Sequence, residues 1–143
     1  MFQISRLNIG DIDSLYILLN DVFKSGVKKE LLYKLIDNDS VIDMVCKNND
    51  LVIGHAMVEI KYDLFTGEKY FFLNYFCVDK NYRCMGIGSE LLKELEKCAK
   101  EFDIDYMRFT SNNKRIEAHK FYKNRGYTIR DTSVFIKYFK EDV

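Results

Sequence analysis

The chain has 143 residues, of which 48% are hydrophobic and 15% aromatic, and this composition suits one domain with a substantial apolar core. Its 22 basic and 22 acidic residues cancel, which argues against a global electrostatic attraction to nucleic acid or to an anionic membrane. We therefore expect a single domain over residues 1–143 without a nucleic-acid partner.

The cysteines are spaced like reduced thiols rather than like a disulfide framework. They form no CxxC pair and lie in or beside apolar runs, at Cys46, Cys77, Cys84 and Cys98. No apolar run reaches the ~18 residues of a membrane span, and the N-terminal sequence lacks a signal-peptide layout. The sequence predicts a cytoplasmic protein that does not associate with a membrane.

The first half of the chain alternates between strand and helix patterns. A strand at 2–8 precedes a helix that Asp11 or Asp13 would cap, because the next apolar residues follow helical spacing. A second short helix, KELLYKLIDN, follows. Two apolar runs, SVIDMVC at 40–46 and LVIGHAMVEIKY at 51–62, flank the turn KNND and predict a hairpin.

The second half continues the sheet and adds two helices. KYFFLNYFCV at 69–78 predicts a long strand antiparallel to the previous one, and an amphipathic helix follows the glycines near position 87. The remaining predicted elements are the strand DYMRFT, the helix RIEAHKFYKNR ended by Gly126, and the closing strands YTI and SVFIKYF. The order β-α-α-β-β-β-α-β-α-β-β predicts an α/β fold, a mixed sheet with helices on both faces.

A glycine turn opens the central helix, in the stretch NYRCMGIGSELLKELE at 81–96. Free N–H groups and the positive end of the helix dipole favour a phosphate group at such a position. A P-loop is excluded because Ser89 and Glu90, rather than a lysine, follow Gly88. The Rossmann fingerprint fits poorly because position 91 is leucine. The alternative is a tight strand-to-helix connection that binds nothing.

Two motifs in this order resemble those of the GNAT superfamily of N-acetyltransferases. The run Arg83-Cys84-Met85-Gly86-Ile87-Gly88 resembles the acyl-CoA-binding motif R/Q-x-x-G-x-G/A of that family. Downstream, AHKFYKNRGY at 118–127 resembles the family element A-x-x-F-Y-x-x-x-G-F/Y. The predicted element order is also similar to the GNAT fold, so the resemblance extends over essentially the whole chain.

The resemblance implies where acetyl-CoA would bind. The amides from Arg83 to Ser89 would cradle its pyrophosphate, with Gly86 and Gly88 leaving room for the approach. The backbone of Phe76 and Val78 would pair with the pantetheine arm, which requires a V-shaped cleft between the fourth and fifth strands. Asn113 would reach the pantetheine amides.

The same resemblance implies the chemistry. Tyr122 would protonate the departing thiolate, and a base would deprotonate the amine before it attacks the thioester. Many relatives carry that base on the strand before the glycine turn, but KYFFLNYFCV contains no carboxylate. Glu59 on the neighbouring strand is our candidate, because a hairpin centred near Phe65 and Thr66 brings it close to Phe72 and Asn74.

Each role has an alternative in ordinary packing. Tyr122 could be a core tyrosine, Arg83 could contribute only its backbone, and Asn113 or Asn112 could cap a helix. Glu59 could be an exposed strand residue or a partner of Lys61 or Lys69. We interpret Cys77 and His119 as packing residues, not as a nucleophile and a ligand.

The sequence thus predicts an enzyme that moves an acetyl group from acetyl-CoA to a primary amine of a small molecule, peptide or protein by direct attack. The alternative is a non-catalytic module that binds acyl-CoA as a sensor. We expect no metal cofactor, because the sequence has no cluster of His and Cys ligands. A homodimer is compatible with this interpretation.

Overall fold

The computed structural model describes residues 2–24 and 26–140. The chain divides into two compact units, residues 1–109 and 110–143, which we call unit 1 and unit 2. Unit 1 contains the strands β1 Phe2–Arg6, β2 Val41–Asn48, β3 Leu51–Tyr62, β4 Lys69–Val78 and β5 Tyr106–Arg108, and the helices α1 Ile12–Phe23, α2 Lys29–Ile36 and α3 Ile87–Glu101. Unit 2 contains the helix α4 Ile116–Asn124.

The five strands form one mixed sheet in the order β1-β2-β3-β4-β5. The first four strands pair antiparallel, and β4 pairs parallel with β5. The α/β architecture and the predicted element order as far as α4 are confirmed. The hairpin of β3 and β4 pairs Tyr62 with Lys69, which places its centre between Phe65 and Thr66 as the sequence predicts.

Local hydrogen bonds explain why this hairpin turns where it does. The Asp63 side chain accepts from the amide of Phe65 at 2.9 Å, and the Asp63 carbonyl accepts from the amide of Gly67 at 2.8 Å. Gly67 has a φ of +75°, a left-handed conformation that glycine adopts without a Cβ penalty. The turn therefore fixes the register that places Glu59 opposite Phe72.

Helices pack against both faces of the sheet in unit 1. On one face, apolar residues of α1 and α2 form a buried cluster with Val45 and Cys77. On the other face, Gly54 lies under α3, because a Cβ built there would be 3.0 Å from Ile87 and 3.1 Å from Leu91. Burial of such side chains contributes roughly 1.5–3 kcal/mol each.

The pairing of β4 with β5 stops early. It includes Tyr70, Phe71 and Phe72, whose partners are Tyr106, Met107 and Arg108. The strand predicted at 105–110 therefore contains three residues, and β4 continues to Val78 beyond the last of them. The two strands do not stay paired through Val78 and Thr110, which is what a cleft between them requires.

The two closing strands are a correction. Residues 127–140 of unit 2 contain neither helix nor strand, although the sequence predicts strands in YTI and SVFIKYF. Within unit 2 these two segments could pair only with each other, and an isolated two-stranded hairpin is at best marginally stable in water. Several apolar side chains of this segment are accordingly exposed, including Phe135 and Phe139.

Unit 2 confirms the predicted end of its helix. After α4, Gly126 has a φ of +90° and donates its amide to the carbonyl of Lys123. The amide of Tyr127 then bonds to the carbonyl of Tyr122 at 3.1 Å. A glycine in the left-handed conformation that allows such a reversal is the usual helix stop.

Candidate functional site

A β-bulge interrupts the second half of β4. Met57 pairs with Asn74 and His55 pairs with Cys77, so Tyr75 and Phe76 lie opposite the single residue Ala56. Tyr75 has a φ of +53°, a left-handed conformation that costs a residue with a Cβ roughly 1–2 kcal/mol. Bulges of this kind redirect a strand and are common beside functional sites.

The glycine turn begins where β4 ends. The Asp79 side chain accepts from the amide of Asn81 at 2.8 Å, which starts a short 3-10 turn at Lys80–Tyr82. The Arg83 side chain reaches back and donates from Nε to the carbonyl of Val78 at 3.3 Å. Arg83 therefore contributes more than its backbone, because its side chain closes the loop on the end of the strand.

The start of α3 is open. Gly86 precedes the helix with a φ of +82° and a ψ of 7°, and no side chain caps the helix at this residue. Nothing lies within 4 Å of a Cβ built on Gly86, so its backbone conformation explains the glycine. Gly88 and Ser89 follow in the first turn, and Cys84, Met85 and Gly86 are exposed. A helix end of this kind offers amide donors to an anion.

Glu59 lies three residues along β3 from Ala56, the residue opposite the bulge. It pairs with Phe72, and its Oε1 accepts from the Nδ2 of Asn74 at 3.4 Å. Both residues are half-buried on neighbouring strands. The hydrogen bond orients the carboxylate but leaves lone pairs for another partner. The structure therefore brings Glu59 close to Asn74, as the predicted hairpin requires, and its role as a base stays a prediction.

Cys77 is a packing residue in this structure. It is buried in the cluster beneath α1 and α2, and burial raises the pKa of its thiol to about 12. A thiol with such a pKa carries almost no thiolate near pH 7, and the thiolate is the nucleophile. This geometry agrees with the prediction that no covalent cysteine intermediate is needed.

Unit 2 holds the other two predicted site residues. Tyr122 is buried on α4, with its ring 6.2 Å from that of Tyr127 in an edge-on contact. Burial raises the pKa of the Tyr122 hydroxyl, and the nearby Arg115 opposes this effect. The phenol is therefore protonated at neutral pH, the form that an acid catalyst requires.

Asn112 and Asn113 precede α4, and the sequence left open which of them caps the helix. The side chain of Asn112 accepts from the amide of Lys114 at 2.9 Å, and its carbonyl accepts from the amide of Arg115 at 3.0 Å. Asn112 therefore holds the turn, and Asn113 is exposed beside it. This arrangement leaves the amide of Asn113 accessible to a ligand.

Sequence reasoning missed one buried polar pair. His55 lies in the apolar run of β3 and hydrogen-bonds through Nε2 to Asp43 Oδ1 at 2.8 Å. Both residues are buried, although each stands among apolar neighbours. The available signal was a single polar side chain inside an apolar run of each predicted strand, Asp43 in VIDMVC and His55 in LVIGHAMV, because a buried polar group requires a partner.

Membrane and metal sites find no support in the part of the chain that is described. Over residues 2–24 and 26–140, no helix is long and apolar enough to cross a bilayer. Within the same residues, no group of His, Cys, Asp and Glu is placed to hold a metal ion.

An open helix start of this kind, after a bulged strand in a mixed sheet, offers amide donors where an anion can bind. The chain belongs to the GNAT acetyltransferase family, whose family model matches residues 12–127. The human protein named spermidine/spermine N(1)-acetyltransferase-like protein 1 is 30% identical over 116 residues. That match covers 80% of this chain but 16% of the human protein.

Solved structures share the fold at low sequence identity. An aminoglycoside acetyltransferase from an uncultured soil metagenomic sample has a TM-score of 0.84 and 20% identity, and the match covers 98% of this chain and 97% of that chain. The glucosamine-6-phosphate N-acetyltransferase of Arabidopsis thaliana has a TM-score of 0.81 and 19% identity, with 98% and 99% covered. A transcriptional regulator from Bacillus halodurans C-125 has a TM-score of 0.87 at 18% identity, with 96% and 100% covered.

Proposed function

We propose that the protein transfers an acetyl group from acetyl-CoA to a primary amine of a small molecule, peptide or protein. The observation that carries this proposal is the open start of α3, where left-handed Gly86 leads into a helix without a side-chain cap. This helix start occurs in a chain of the GNAT acetyltransferase family. The amides from Arg83 to Ser89 would bind the pyrophosphate, because helix N-termini favour anions.

The backbone beyond the bulge would hold the rest of the donor. The pairing of β4 with β5 ends at Phe72, and β4 continues for six residues to Val78. An extended pantetheine arm could add to this part of the strand through the backbone of Phe76 and Val78, as an extra strand adds to a sheet. Asn113, a residue of unit 2, would bind a pantetheine amide.

The reaction would proceed by direct attack. The ammonium of the acceptor transfers a proton to Glu59, and the free amine nitrogen forms a bond to the thioester carbonyl carbon. When the tetrahedral intermediate collapses, the carbon–sulfur bond breaks and Tyr122 donates a proton to the leaving thiolate. The nitrogen then gives up its second proton, which restores the Tyr122 phenol, and Glu59 releases the first proton to water. The products are an N-acetylated amine and CoA.

The names of the relatives suggest which amine acceptors should be assayed first. The human relative is named for polyamines, and the two transferases of known fold are named for aminoglycosides and for glucosamine 6-phosphate. All three classes carry primary amines. In this chain, Phe23 and Tyr75 meet edge-on beside the bulge with ring centres 6.1 Å apart, and both rings are substantially exposed. These rings favour an acceptor that has an apolar portion next to its amine.

Calorimetry with acetyl-CoA tests the proposal directly. The wild type should bind at micromolar concentrations, and the ligand should raise the melting temperature by mass action. Gly88→Val should abolish both effects without unfolding the protein, because the new side chain stands in the first turn of α3. Gly26→Val is the control, since nothing lies within 4 Å of a Cβ at that position. A wild type indifferent to acetyl-CoA would reject the proposal.

Turnover distinguishes the enzyme from a sensor. Release of CoA should be measured with spermidine, an aminoglycoside, glucosamine 6-phosphate and a short peptide with a free N-terminus. We expect turnover with at least one amine. Tight acetyl-CoA binding with no turnover across this panel and a wider set of amines would favour the non-catalytic binding module.

A further inference from the structure

A buried histidine joins three strands at the bulge of β4. His55 on β3 is 1% exposed, and both of its ring nitrogens are hydrogen-bonded. Nε2 lies 2.8 Å from Oδ1 of Asp43 on β2, and Nδ1 lies 2.8 Å from the carbonyl oxygen of Tyr75 on β4. The acceptor on β4 is the residue whose backbone is left-handed.

The hydrogen-bond partners of the His55 ring determine where one of its protons lies. A carbonyl oxygen can only accept, so Nδ1 of His55 must carry a hydrogen and donate it to Tyr75. The second shared proton lies between Nε2 and Asp43, as an imidazolium facing a carboxylate or as a neutral ring facing a carboxylic acid. In both arrangements Asp43 holds the ring in the orientation that points Nδ1 at the bulge.

The bulge requires such a contact. The pairing places Tyr75 and Phe76 opposite Ala56, so the Tyr75 carbonyl meets the His55 ring instead of joining a regular strand pair. A left-handed tyrosine persists only where its surroundings hold it. The ring of Tyr75 also packs edge-on against Phe23, but that contact restrains the side chain rather than the carbonyl.

The bulge decides which backbone groups beyond it face away from β3. In an antiparallel pair, successive residues alternate between facing the partner and facing away from it. One extra residue shifts that alternation, so Cys77 rather than Phe76 pairs with His55. Phe76 and Val78 are the residues whose backbone the proposed function assigns to the pantetheine arm.

We propose that His55, oriented by Asp43, is a positioning residue for the acyl donor. Its hydrogen bond to Tyr75 holds the bulge and thereby directs the backbone of Phe76 and Val78 toward acetyl-CoA. This inference rests on the proposed function for the identity of the donor. The part played by His55 in holding the bulge depends only on contacts within the sheet.

Two substitutions separate positioning from a purely structural role. His55→Asn places an amide nitrogen close to the position of Nδ1 and can still donate to the Tyr75 carbonyl. His55→Gln places its amide close to the position of Nε2, so it can satisfy Asp43 but not Tyr75. Asp43→Asn is a third variant, since its amide can donate to Nε2 while the neutral ring still donates through Nδ1.

A positioning role and a purely structural role of His55 predict opposite orders of acetyl-CoA affinity among these variants. Because a buried carboxylate without a partner is costly, His55→Gln should be at least as stable as His55→Asn. If His55 only stabilises the sheet, acetyl-CoA affinity will follow that order. We expect the reverse: His55→Gln should bind acetyl-CoA at least about tenfold more weakly than His55→Asn and Asp43→Asn, which should stay within about threefold of the wild type.

Amide hydrogen exchange in the ligand-free protein tests the bulge without acetyl-CoA. His55→Gln should exchange faster at residues 75–77 than His55→Asn, while the ends of β3 stay unchanged. Equal exchange at these residues in the two variants, or an affinity order that follows stability, would overturn the inference alone. A wild type that does not bind acetyl-CoA would overturn the proposed function and the donor-directing role, while exchange would still decide whether His55 holds the bulge.

Discussion

The helical segments of unit 1 that begin near Asn8 and at Gly86 start in opposite ways. At the first, the Asn8 side chain accepts from the Gly10 amide at 2.9 Å, and the Asp11 carboxylate accepts from the Asn8 amide at 3.1 Å. The amides there are thus satisfied within the chain by a capping box. At the second, left-handed Gly86 precedes α3 and no side chain caps the helix.

The contrast shows which of these two helix starts could accept an anion. Asp11 is buried, and its Oδ1 also accepts a hydrogen bond from Lys47 Nζ at 3.0 Å. The negative charge of Asp11 is therefore balanced by a lysine of the same chain. The second start has exposed residues before it and amides in its first turn that an anion can bind. What sets the start of α3 apart is the left-handed glycine before it, which leaves no side chain in the way of an anion at the exposed first turn.

The largest expected effect comes from making the open helix start resemble the closed one. Gly86→Asp tolerates the left-handed backbone better than most residues but places a carboxylate where the pyrophosphate would bind. We expect acetyl-CoA affinity to fall at least about 100-fold, which is about 2.7 kcal/mol, by calorimetry. Gly86→Asn should lose less because it is uncharged, and Gly67→Asp, also at positive φ, should bind as the wild type does. Equal losses in the aspartate and asparagine variants would show that backbone strain, not charge, explains the effect.

The next effect separates binding at the open helix start from chemistry on the sheet. Glu59→Gln keeps an oxygen that accepts from Asn74 but removes the base, so kcat at pH 7 should fall by about 100-fold. The dissociation constant of acetyl-CoA should not change, because Glu59 lies on β3 and not in the glycine turn. An unchanged kcat would assign proton removal to another group or to water.

A smaller effect should come from Tyr122→Phe. The substitution keeps the ring contact with Tyr127 and deletes the acid, so kcat should fall at least about tenfold, or 1.4 kcal/mol, with acetyl-CoA affinity unchanged. Because burial raises the pKa of Tyr122 above its usual value near 10, the wild type should not lose this acid as pH rises to 9. If kcat is unchanged and only the melting temperature falls, Tyr122 is a packing residue.

The smallest effect should come from the closed helix start. Asn8→Ala removes the cap on the Gly10 amide and should lower the free energy of unfolding by about 1 kcal/mol, measured by urea denaturation. Acetyl-CoA affinity should be unchanged, since no ligand is expected at this helix start. Weaker acetyl-CoA binding in this variant would remove the distinction between the two helix starts.

The sequence predicted those elements whose signal is local. The aromatic run at 69–78 coincides with β4, and the turn residues Asp63 and Gly67 set the hairpin register that brings Glu59 to Asn74. The predicted helix stop at Gly126 is confirmed, because the residue after α4 needs a positive φ that glycine adopts freely. Family membership also followed from two local motifs whose order the chain preserves.

Local signals failed where a neighbouring segment decides the outcome. Asp11 precedes α1 as predicted, but its side chain makes no cap there and turns to Asn8 and Lys47 instead. The apolar pattern at 133–139 predicts a strand, but the structure has none at these residues. A strand also needs a neighbouring strand with which to pair. Periodicity reports which residues could form an element, whereas pairing determines whether they do.

The sequence alone therefore determined the order of elements as far as α4, the glycine that ends α4 and the family, because each depends on neighbours along the chain. Only the tertiary structure decided the bulge at Tyr75 and its bond to His55. The extra residue of β4 can be recognised only from its pairing with β3. The proton on Nδ1 of His55 follows from the carbonyl of Tyr75, which is 20 residues away in the chain. Such features arise from contacts between strands, which no single stretch of sequence encodes.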